Sequence, residues 1–142
     1  MRRVAKAFKF LMYARFMITA LDTNFLVYCA KQKIDFLSEI GRLCSEKMSM
    51  IAPMQVMDEL EKLSKAKSRD SKYATLALHL LEKYKTEAKI QVENFTAEAA
   101  DDALLELDKK GNAIATLDSG LRHRIRNAKI IVIRQFNHLE IE

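Results

Sequence analysis

The sequence contains few residues that break helices or form tight turns. Among its 142 residues there are only three glycines and one proline, which excludes a collagen-like, linker-rich or long-looped architecture. An all-β sandwich needs many tight turns and is disfavoured for the same reason. The sequence also lacks any window close to the ~18 uninterrupted apolar residues that a membrane span requires. We therefore expect one compact domain with no membrane partner.

Cysteine is also scarce. The two cysteines, Cys29 and Cys44, lie in otherwise apolar helical patterns and lack the spacing typical of metal ligands. We therefore expect reduced thiols in the core of a cytoplasmic protein.

Positive charge is concentrated at the beginning of the chain. The net charge is +5, from 24 basic and 19 acidic residues. Residues 1–20 contain five basic residues and no acidic one, so the rest of the chain is neutral. The total charge therefore does not by itself indicate a nucleic-acid partner.

Residues 1–16 predict a basic amphipathic N-terminal extension. Its basic side consists of Arg2, Arg3, Lys6 and Lys9, and its apolar side of Val4, Phe8, Leu11 and Met12. Such a helix is typical of contacts with a membrane surface or an RNA backbone, and its composition resembles an organelle transit peptide. Two alternatives are a helix packed on the domain's own surface and sequence upstream of a true start at Met17.

From residue 17 onward, short apolar runs alternate with helical patterns. The pattern predicts strands over residues 17–21, 48–52, 89–92, 112–117 and 130–133. It predicts helices over 25–32, 35–47, 53 onward, 73–85, 96 to about 110 and 121–127, with an exposed basic connection over 62–72. We expect the buried face of helix 73–85 to lie at or near Leu76, Leu80, Leu81 and Tyr84. This alternation indicates a three-layer α/β/α domain over residues 17–142 with a mainly parallel sheet.

Acidic residues follow several predicted strands. Asp22 and Asp118 come directly after two of them, Glu59 lies in the helix after the second strand, and Asp101 and Asp102 begin a later helix. In an open parallel sheet, ligands bind beyond the carboxyl ends of the strands. Four converging carboxylates cannot all remain bare anions, so they need protons or a cation. Oxygen ligands without His or Cys suit Mg²⁺ or Mn²⁺, which can activate water and stabilise charge on a phosphodiester.

Each of these acids also has a purely structural interpretation. Asp22 and Asp118 could act only as helix N-caps, because each stands immediately before a predicted helix. Single acidic residues on helices are most often solvated. The convergence of four acids on one edge is what favours a functional site.

Four segments resemble the PIN-domain ribonuclease family, over essentially all of residues 17–142. They are ALDTNFL at 20–26, PMQVMDEL at 53–60, ADDALL at 100–105 and ATLDSGLR at 115–122. Each segment alone is weak, but all four occur in order on the predicted elements. The pattern is most similar to VapC-like toxins and to the PIN nucleases that process small-subunit ribosomal RNA.

The resemblance implies the roles of seven residues. Asp22, Glu59, Asp101 and Asp118 would be the metal-binding catalytic residues, with Mg²⁺ or Mn²⁺ as the cofactor. Thr23, Asn24 and Thr116 would orient the carboxylates. The apolar Leu104 at the third following position selects Asp101 over Asp102, although the adjacent pair leaves that choice open. Leu117 replaces the family's usual asparagine before Asp118.

Basic residues near these acids are candidates for phosphate binding. Arg122 and Arg124 follow Asp118 and would contact the RNA backbone. The lysine-rich stretch after Glu59 is equally consistent with a solvated surface, and His123 with a surface residue.

The sequence thus predicts a divalent-metal-dependent endoribonuclease. As a VapC-like toxin it would have an antitoxin partner, and as an rRNA-processing enzyme it would work with ribosome-assembly proteins. The alternative is an inactive PIN-fold scaffold that binds RNA or protein. Phosphotransfer on Asp22 is disfavoured. Phosphatases of the haloacid-dehalogenase type carry a second acid two residues after the phosphorylated aspartate, and this chain has Asn24 there. Apolar residues left over on helices 35–47 and 73–85 favour a homodimer.

Overall fold

The computed structural model describes residues 18–44, 49–109 and 112–142. The predicted N-terminal extension and Met17 lie outside the described residues. So do the end of predicted helix 35–47, Met48, and the end of the helix predicted to run to about Lys110.

The described residues alternate strands and helices. The strands are β1 (Ile18–Leu21), β2 (Ser49–Pro53), β3 (Ile90–Glu93), β4 (Ala113–Ala115), β5 (Lys129–Arg134) and β6 (His138–Ile141). The helices are α1 (Thr23–Lys31), α2 (Phe36–Cys44), α3 (Met54–Lys65), α4 (Ser71–Thr86), α5 (Ala100–Asp108) and α6 (Ser119–Arg124). None of the helices in these ranges combines the length and the apolar run needed to cross a membrane.

The strands form one mixed sheet in the order β3-β2-β1-β4-β5-β6. The first five strands in this order are parallel, and β6 pairs antiparallel with β5. Leu21, Ala115 and Ile131 lie side by side on the three neighbouring strands β1, β4 and β5. All four residues of β1 are buried, as expected for a parallel strand covered on both faces.

Helices cover both faces of the sheet. Buried residues of α1–α4, such as Phe25, Ile40, Leu60 and Leu81, pack against Leu21, Ala113 and Ala115 on one face. On the other face, Leu104 and Leu107 of α5 and Leu121 of α6 pack against Ile18, Ala20 and Ile114. The three-layer α/β prediction is therefore confirmed.

Several predicted boundaries of helices and strands are wrong. The helix predicted from residue 96 begins at Ala100, because residues 94–99 form a loop held by the side chain of Gln55. The predicted exposed connection over 62–72 is shorter, since α3 continues to Lys65 and α4 begins at Ser71. The predicted strand 112–117 narrows to Ala113–Ala115, after which the backbone turns toward α6.

Two further expectations fail for reasons of packing. Leu76 is not on the buried face of α4, where it remains 46% exposed; the small residues Ala74 and Ala77 face the core with Leu81. Small side chains allow α4 to approach its neighbours, which apolarity alone does not predict. Strand β6 was not predicted, because Leu139 is its one buried residue and its neighbours are polar.

Candidate functional site

Asp22 joins the end of β1 to the beginning of α1. It is 4% exposed, and its Oδ1 accepts a hydrogen bond of 2.8 Å from the Thr23 N–H as the N-cap of α1. Its Oδ2 accepts a hydrogen bond of 2.6 Å from the Thr116 hydroxyl, which comes from the end of β4. Both carboxylate oxygens are therefore fixed, and two neighbouring strands define their position.

The surroundings of Asp22 raise the pKa of its carboxyl above the ordinary value. Burial raises the pKa of this carboxyl to about 6, although the Thr116 hydroxyl and the Thr23 N–H lower it. The charges of Asp101 and Glu59 make smaller contributions to this rise. No lysine or arginine forms an ion pair with Asp22 in the part of the chain that the structure describes.

Glu59 approaches Asp22 from α3. Its side chain is on an exposed part of the helix, and its Oε2 accepts a hydrogen bond of 2.6 Å from the Thr23 hydroxyl. Thr23 therefore donates to both carboxylates, through its N–H to Asp22 and through its hydroxyl to Glu59. This double contact links the end of β1 to α3 on the same edge of the sheet.

Asp101, in the first turn of α5, lies among the other acids. Burial raises its pKa above the usual range, and the charges of Asp118 and Glu59 raise it further. Asp102 instead forms an exposed ion pair with Arg124, with 3.3 Å between Arg124 Nη2 and Asp102 Oδ1. The structure thus brings Asp101 rather than Asp102 close to Glu59 and Asp118.

Asp118 is the N-cap of α6. Its Oδ1 accepts backbone hydrogen bonds from Gly120 (2.8 Å) and Leu121 (3.3 Å), and its own N–H donates to the Thr116 hydroxyl oxygen at 3.1 Å. Asp22 and Asp118 therefore both act as helix N-caps, as their structural interpretation predicts. Capping does not exclude a functional role, because Oδ2 of Asp118 takes no part in the cap.

The chemistry of this cluster suits a hard divalent cation. It offers oxygen donors alone. The charges of Glu59, Asp101 and Asp118 each raise the pKa of another acid in the cluster. Within residues 18–44, 49–109 and 112–142, however, no three His, Cys, Asp or Glu side chains are close enough to hold a metal ion. The donor set fits Mg²⁺ or Mn²⁺, and its members are neighbours that have not converged on one point.

The structure gives the remaining predicted residues different surroundings. Thr23 and Thr116 contact the carboxylates, as expected of orienting residues. Asn24 is exposed and its side chain makes no hydrogen bond to another described residue, so its predicted contact with the carboxylates is absent. Arg122 donates to Glu142 Oε1 at 2.6 Å, beside a pocket of about 230 Å³ lined by Ser119, His123 and Ile130. Arg124 is held by Asp102, near Asp101.

The sequence analysis missed two buried polar residues that hold loops, one of them next to the site. Gln55 is 8% exposed, and its amide donates to the carbonyls of Phe95 (2.8 Å) and Ala97 (2.6 Å) in the loop that leads to Asp101. The sequence contains a signal for Gln55, because this residue lies one helical turn before Glu59 and therefore on the same side of α3. Asp108, at the end of α5, is 4% exposed and holds the loop after α6.

We expect Asp108→Ala to lower the free energy of unfolding by about 2–4 kcal/mol. The Asp108 carboxylate accepts the backbone N–H groups of Arg126, Asn127 and Ala128 at 2.9, 2.8 and 2.6 Å. Although burial raises the pKa of Asp108, these bonds lower it below its usual value. The stabilisation is therefore present at neutral pH and is lost as the pH falls through the lowered pKa.

Urea unfolding at pH 7 measures this loss, with Asp108→Asn as the matched variant. Asn keeps one carbonyl acceptor, so its loss should be smaller than that of Ala. Equal stability of wild type and the alanine variant would show that the loop does not depend on this carboxylate.

Comparison with known proteins agrees with the α/β fold. Residues 19–136 match the family model of the PIN-like domain. Ribonuclease VapC4 of Methanocaldococcus jannaschii is 33% identical over 127 residues, which span 84% of this chain and 92% of that protein.

Solved structures give the same result. The PIN domain endonuclease Utp24 superposes with a TM-score of 0.71 at 25% identity, covering 88% of this chain and 90% of that one. VapBC2 of Rickettsia felis, solved with a DNA fragment from its promoter, has a TM-score of 0.52 at 18% identity. That match covers 83% of this chain and 100% of that one, and it bears on the fold alone. By its sequence and its fold, the chain belongs to the PIN-like domain family.

Proposed function

We propose that the chain is a divalent-metal-dependent endoribonuclease whose catalytic residues are Asp22, Glu59, Asp101 and Asp118. The observation that carries the proposal is the buried carboxylate of Asp22. It has two ordered hydrogen bonds, acidic neighbours and no basic partner among the described residues. Burying this carboxylate without a basic partner costs more than its hydrogen bonds return, since its pKa is raised in spite of them, and this favours a role in binding a cation.

The four carboxylates would hold Mg²⁺ or Mn²⁺. When bound, the ion supplies a Lewis acid that stabilises the charge developing on a phosphodiester and favours hydrolysis by water. Thr116 and Thr23 fix the rotamers of Asp22 and Glu59 through their 2.6 Å hydrogen bonds. Gln55 keeps Asp101 in place through the preceding loop. The chain's contribution is therefore to assemble like charges that repel each other in the absence of the ion.

Arg122 and Arg124 are the proposed phosphate-binding residues. Both lie on α6 directly after Asp118, and both are paired with carboxylates that an RNA phosphate would replace. Exposed ion pairs contribute little to stability, so exchanging one partner for a phosphate costs little.

The biological setting has two versions. The similarity to Ribonuclease VapC4 supports a toxin that is held inactive by an antitoxin, and the similarity to Utp24 supports a nuclease that processes ribosomal RNA with ribosome-assembly proteins. In either setting we propose a cytoplasmic homodimer, with residues 1–16 as a separate basic extension of the PIN-like domain at 17–142. A second candidate function is an inactive RNA- or protein-binding scaffold, which the lack of a converged metal centre within the described ranges favours.

The paired Asp101 and Asp102 provide a direct test. We expect Asp101→Asn to reduce cleavage at least about tenfold, because it removes a carboxylate from the cluster. Asp102→Asn should leave the rate within about threefold of wild type, since it only breaks an exposed ion pair. The measurement is the initial rate of cleavage of a labelled, structured ribosomal RNA fragment in Mn²⁺ or Mg²⁺, with EDTA as the metal-free control.

Three outcomes separate the candidates. Cleavage that requires metal and is lost in Asp101→Asn alone supports the proposal. Loss in Asp102→Asn alone would move the site to the other acid. RNA binding without cleavage at any divalent ion would favour the scaffold.

A further inference from the structure

The hairpin of β5 and β6 extends beyond the edge of the sheet that carries the acids. Ile131 of β5 is level with Ala115 and Leu21, and Asp22 comes one residue after Leu21. Strand β5 continues for three more residues to Arg134 before the chain turns back at residues 135–137. At about 3.3 Å per residue, the turn lies roughly 10 Å beyond the level of Leu21. It therefore stands beside the candidate site, on the strand next to the one that leads to Asp118.

The base of this hairpin is firmly attached to the domain. Leu139 is fully buried in the core, and its carbonyl accepts a hydrogen bond of 3.2 Å from Arg42 of α2. Arg134 and His138, which pair across the end of the hairpin, both lie within 4 Å of Glu140. Arg134 also donates to Glu142 Oε2 at 3.0 Å, so the charged groups next to the turn are paired.

Phe136, in the turn itself, is held in two unfavourable ways. The residue is 77% exposed, more than any other large hydrophobic residue in the described ranges. Its φ is +69°, a left-handed conformation that costs energy for a bulky residue, and its neighbour Gln135 has a φ of +51°. Asparagine or glycine would suit this position better, so the requirements of folding do not explain a phenylalanine here.

We propose that Phe136 is a stacking platform for an unpaired base of the RNA substrate. This inference rests on the proposed function, since the substrate would have to pass the hairpin to reach the acids. An aromatic ring stacks on any base, and recognition of single-stranded or looped RNA commonly uses such rings. A turn anchored at its base and exposed at its tip presents the ring with little conformational freedom to lose on binding.

The exposed apolar surface of Phe136 favours a base over a phosphate as its ligand, because a phosphate needs a hydrogen-bond donor or a positive charge and the phenyl ring offers neither. Phosphate contacts weaken steeply with salt, because binding releases counterions. Stacking on Phe136 should instead contribute nearly the same factor at low and at high salt. The salt dependence of binding would then come from basic residues elsewhere, including Arg122 and Arg124.

A single-tryptophan variant tests the proposal. The chain has no tryptophan, so Phe136→Trp introduces one reporter at the tip of the hairpin. Made together with Asp22→Asn to suppress cleavage, it should lose fluorescence on titration with a single-stranded oligoribonucleotide and keep its RNA affinity. Phe136→Asn in the same background should fold normally, because Asn tolerates the positive φ, and should bind between about 5-fold and about 100-fold more weakly. Fluorescence anisotropy of a labelled RNA gives the affinities at two salt concentrations.

Gln135→Asn is the matched control. It relieves the backbone of the same turn and keeps the ring, so its RNA affinity should equal that of the parent. RNA binding by anisotropy without quenching of the tryptophan, or unchanged affinity of Phe136→Asn, would overturn the stacking role and leave the nuclease proposal intact. Unchanged RNA affinity with an altered oligomeric state in light scattering would reassign the ring to a contact between copies. Absence of both RNA binding and cleavage in the wild-type protein would instead remove the proposed function itself.

Discussion

Replacing Asp22 with Asn is expected to slow RNA cleavage by about 100- to 1000-fold. The amide keeps the shape of the side chain but removes its negative charge from the centre of the acidic cluster. It also places an N–H group toward the Thr116 hydroxyl. In the wild type this hydroxyl donates to a carboxylate oxygen of Asp22 at 2.6 Å. The measurement is the rate of cleavage at discrete sites in a structured ribosomal RNA fragment, with Mn²⁺ or Mg²⁺ present.

Asp58→Asn is the matched control for this experiment. Asp58 precedes Glu59 on α3, is exposed, and has no role in the cluster. Its variant should cleave at the wild-type rate. Full activity in Asp22→Asn would mean that the cleavage comes from a contaminating nuclease or that the site lies elsewhere.

The same substitution is expected to stabilise the metal-free protein. The pKa of Asp22 is about 6 in the folded chain, against an ordinary value of 3.8. The folded state therefore binds more protons than the unfolded state between these values, and stability falls as the pH rises from about 4 through 6. At pH 7.5 in EDTA, Asp22→Asn avoids this cost and should be more stable by up to about 3 kcal/mol. Thermal or urea unfolding across this pH range measures the difference.

The expected pattern has two further parts. At pH 4 wild type and variant should have nearly the same stability, because the aspartate is then largely protonated. Mn²⁺ or Mg²⁺ at neutral pH should stabilise the wild type more than the variant, through preferential binding to the folded state. A variant that is less stable than wild type at pH 7.5 in EDTA would show that hydrogen bonding, rather than burial of charge, dominates at Asp22.

Much of this site could be anticipated from local sequence. Asp22 follows an apolar strand and precedes a helix, so its place at the sheet edge depends only on the order of neighbouring elements. Its partner Thr116 was indicated by the resemblance of the segment ATLDSGLR to the PIN family, not by the strand pattern. The sequence alone does not distinguish Asp101 from Asp102, since a rotation of α5 by one residue would exchange their surroundings.

Other features depend on contacts that sequence patterns do not contain. Asp108 binds backbone groups about twenty residues away, and any carboxylate at a helix end looks the same in sequence. Leu76 was misplaced because the helical pattern does not reveal that Ala74 and Ala77 form the close contact. Strand β6 has one buried residue, so its pairing depends on β5 rather than on its own apolar character.

The two outer strands of the sheet also bear on how copies of this chain can associate. At one end, β3 presents the exposed polar residues Gln91 and Glu93. At the other end, Arg42 occupies the Leu139 carbonyl of β6, and charged Glu140 flanks it. Charged side chains and occupied backbone groups discourage a strand of another molecule from adding to a sheet. We therefore expect copies of the chain to associate through their helices. Association of that kind would not alter the sheet or its acidic edge.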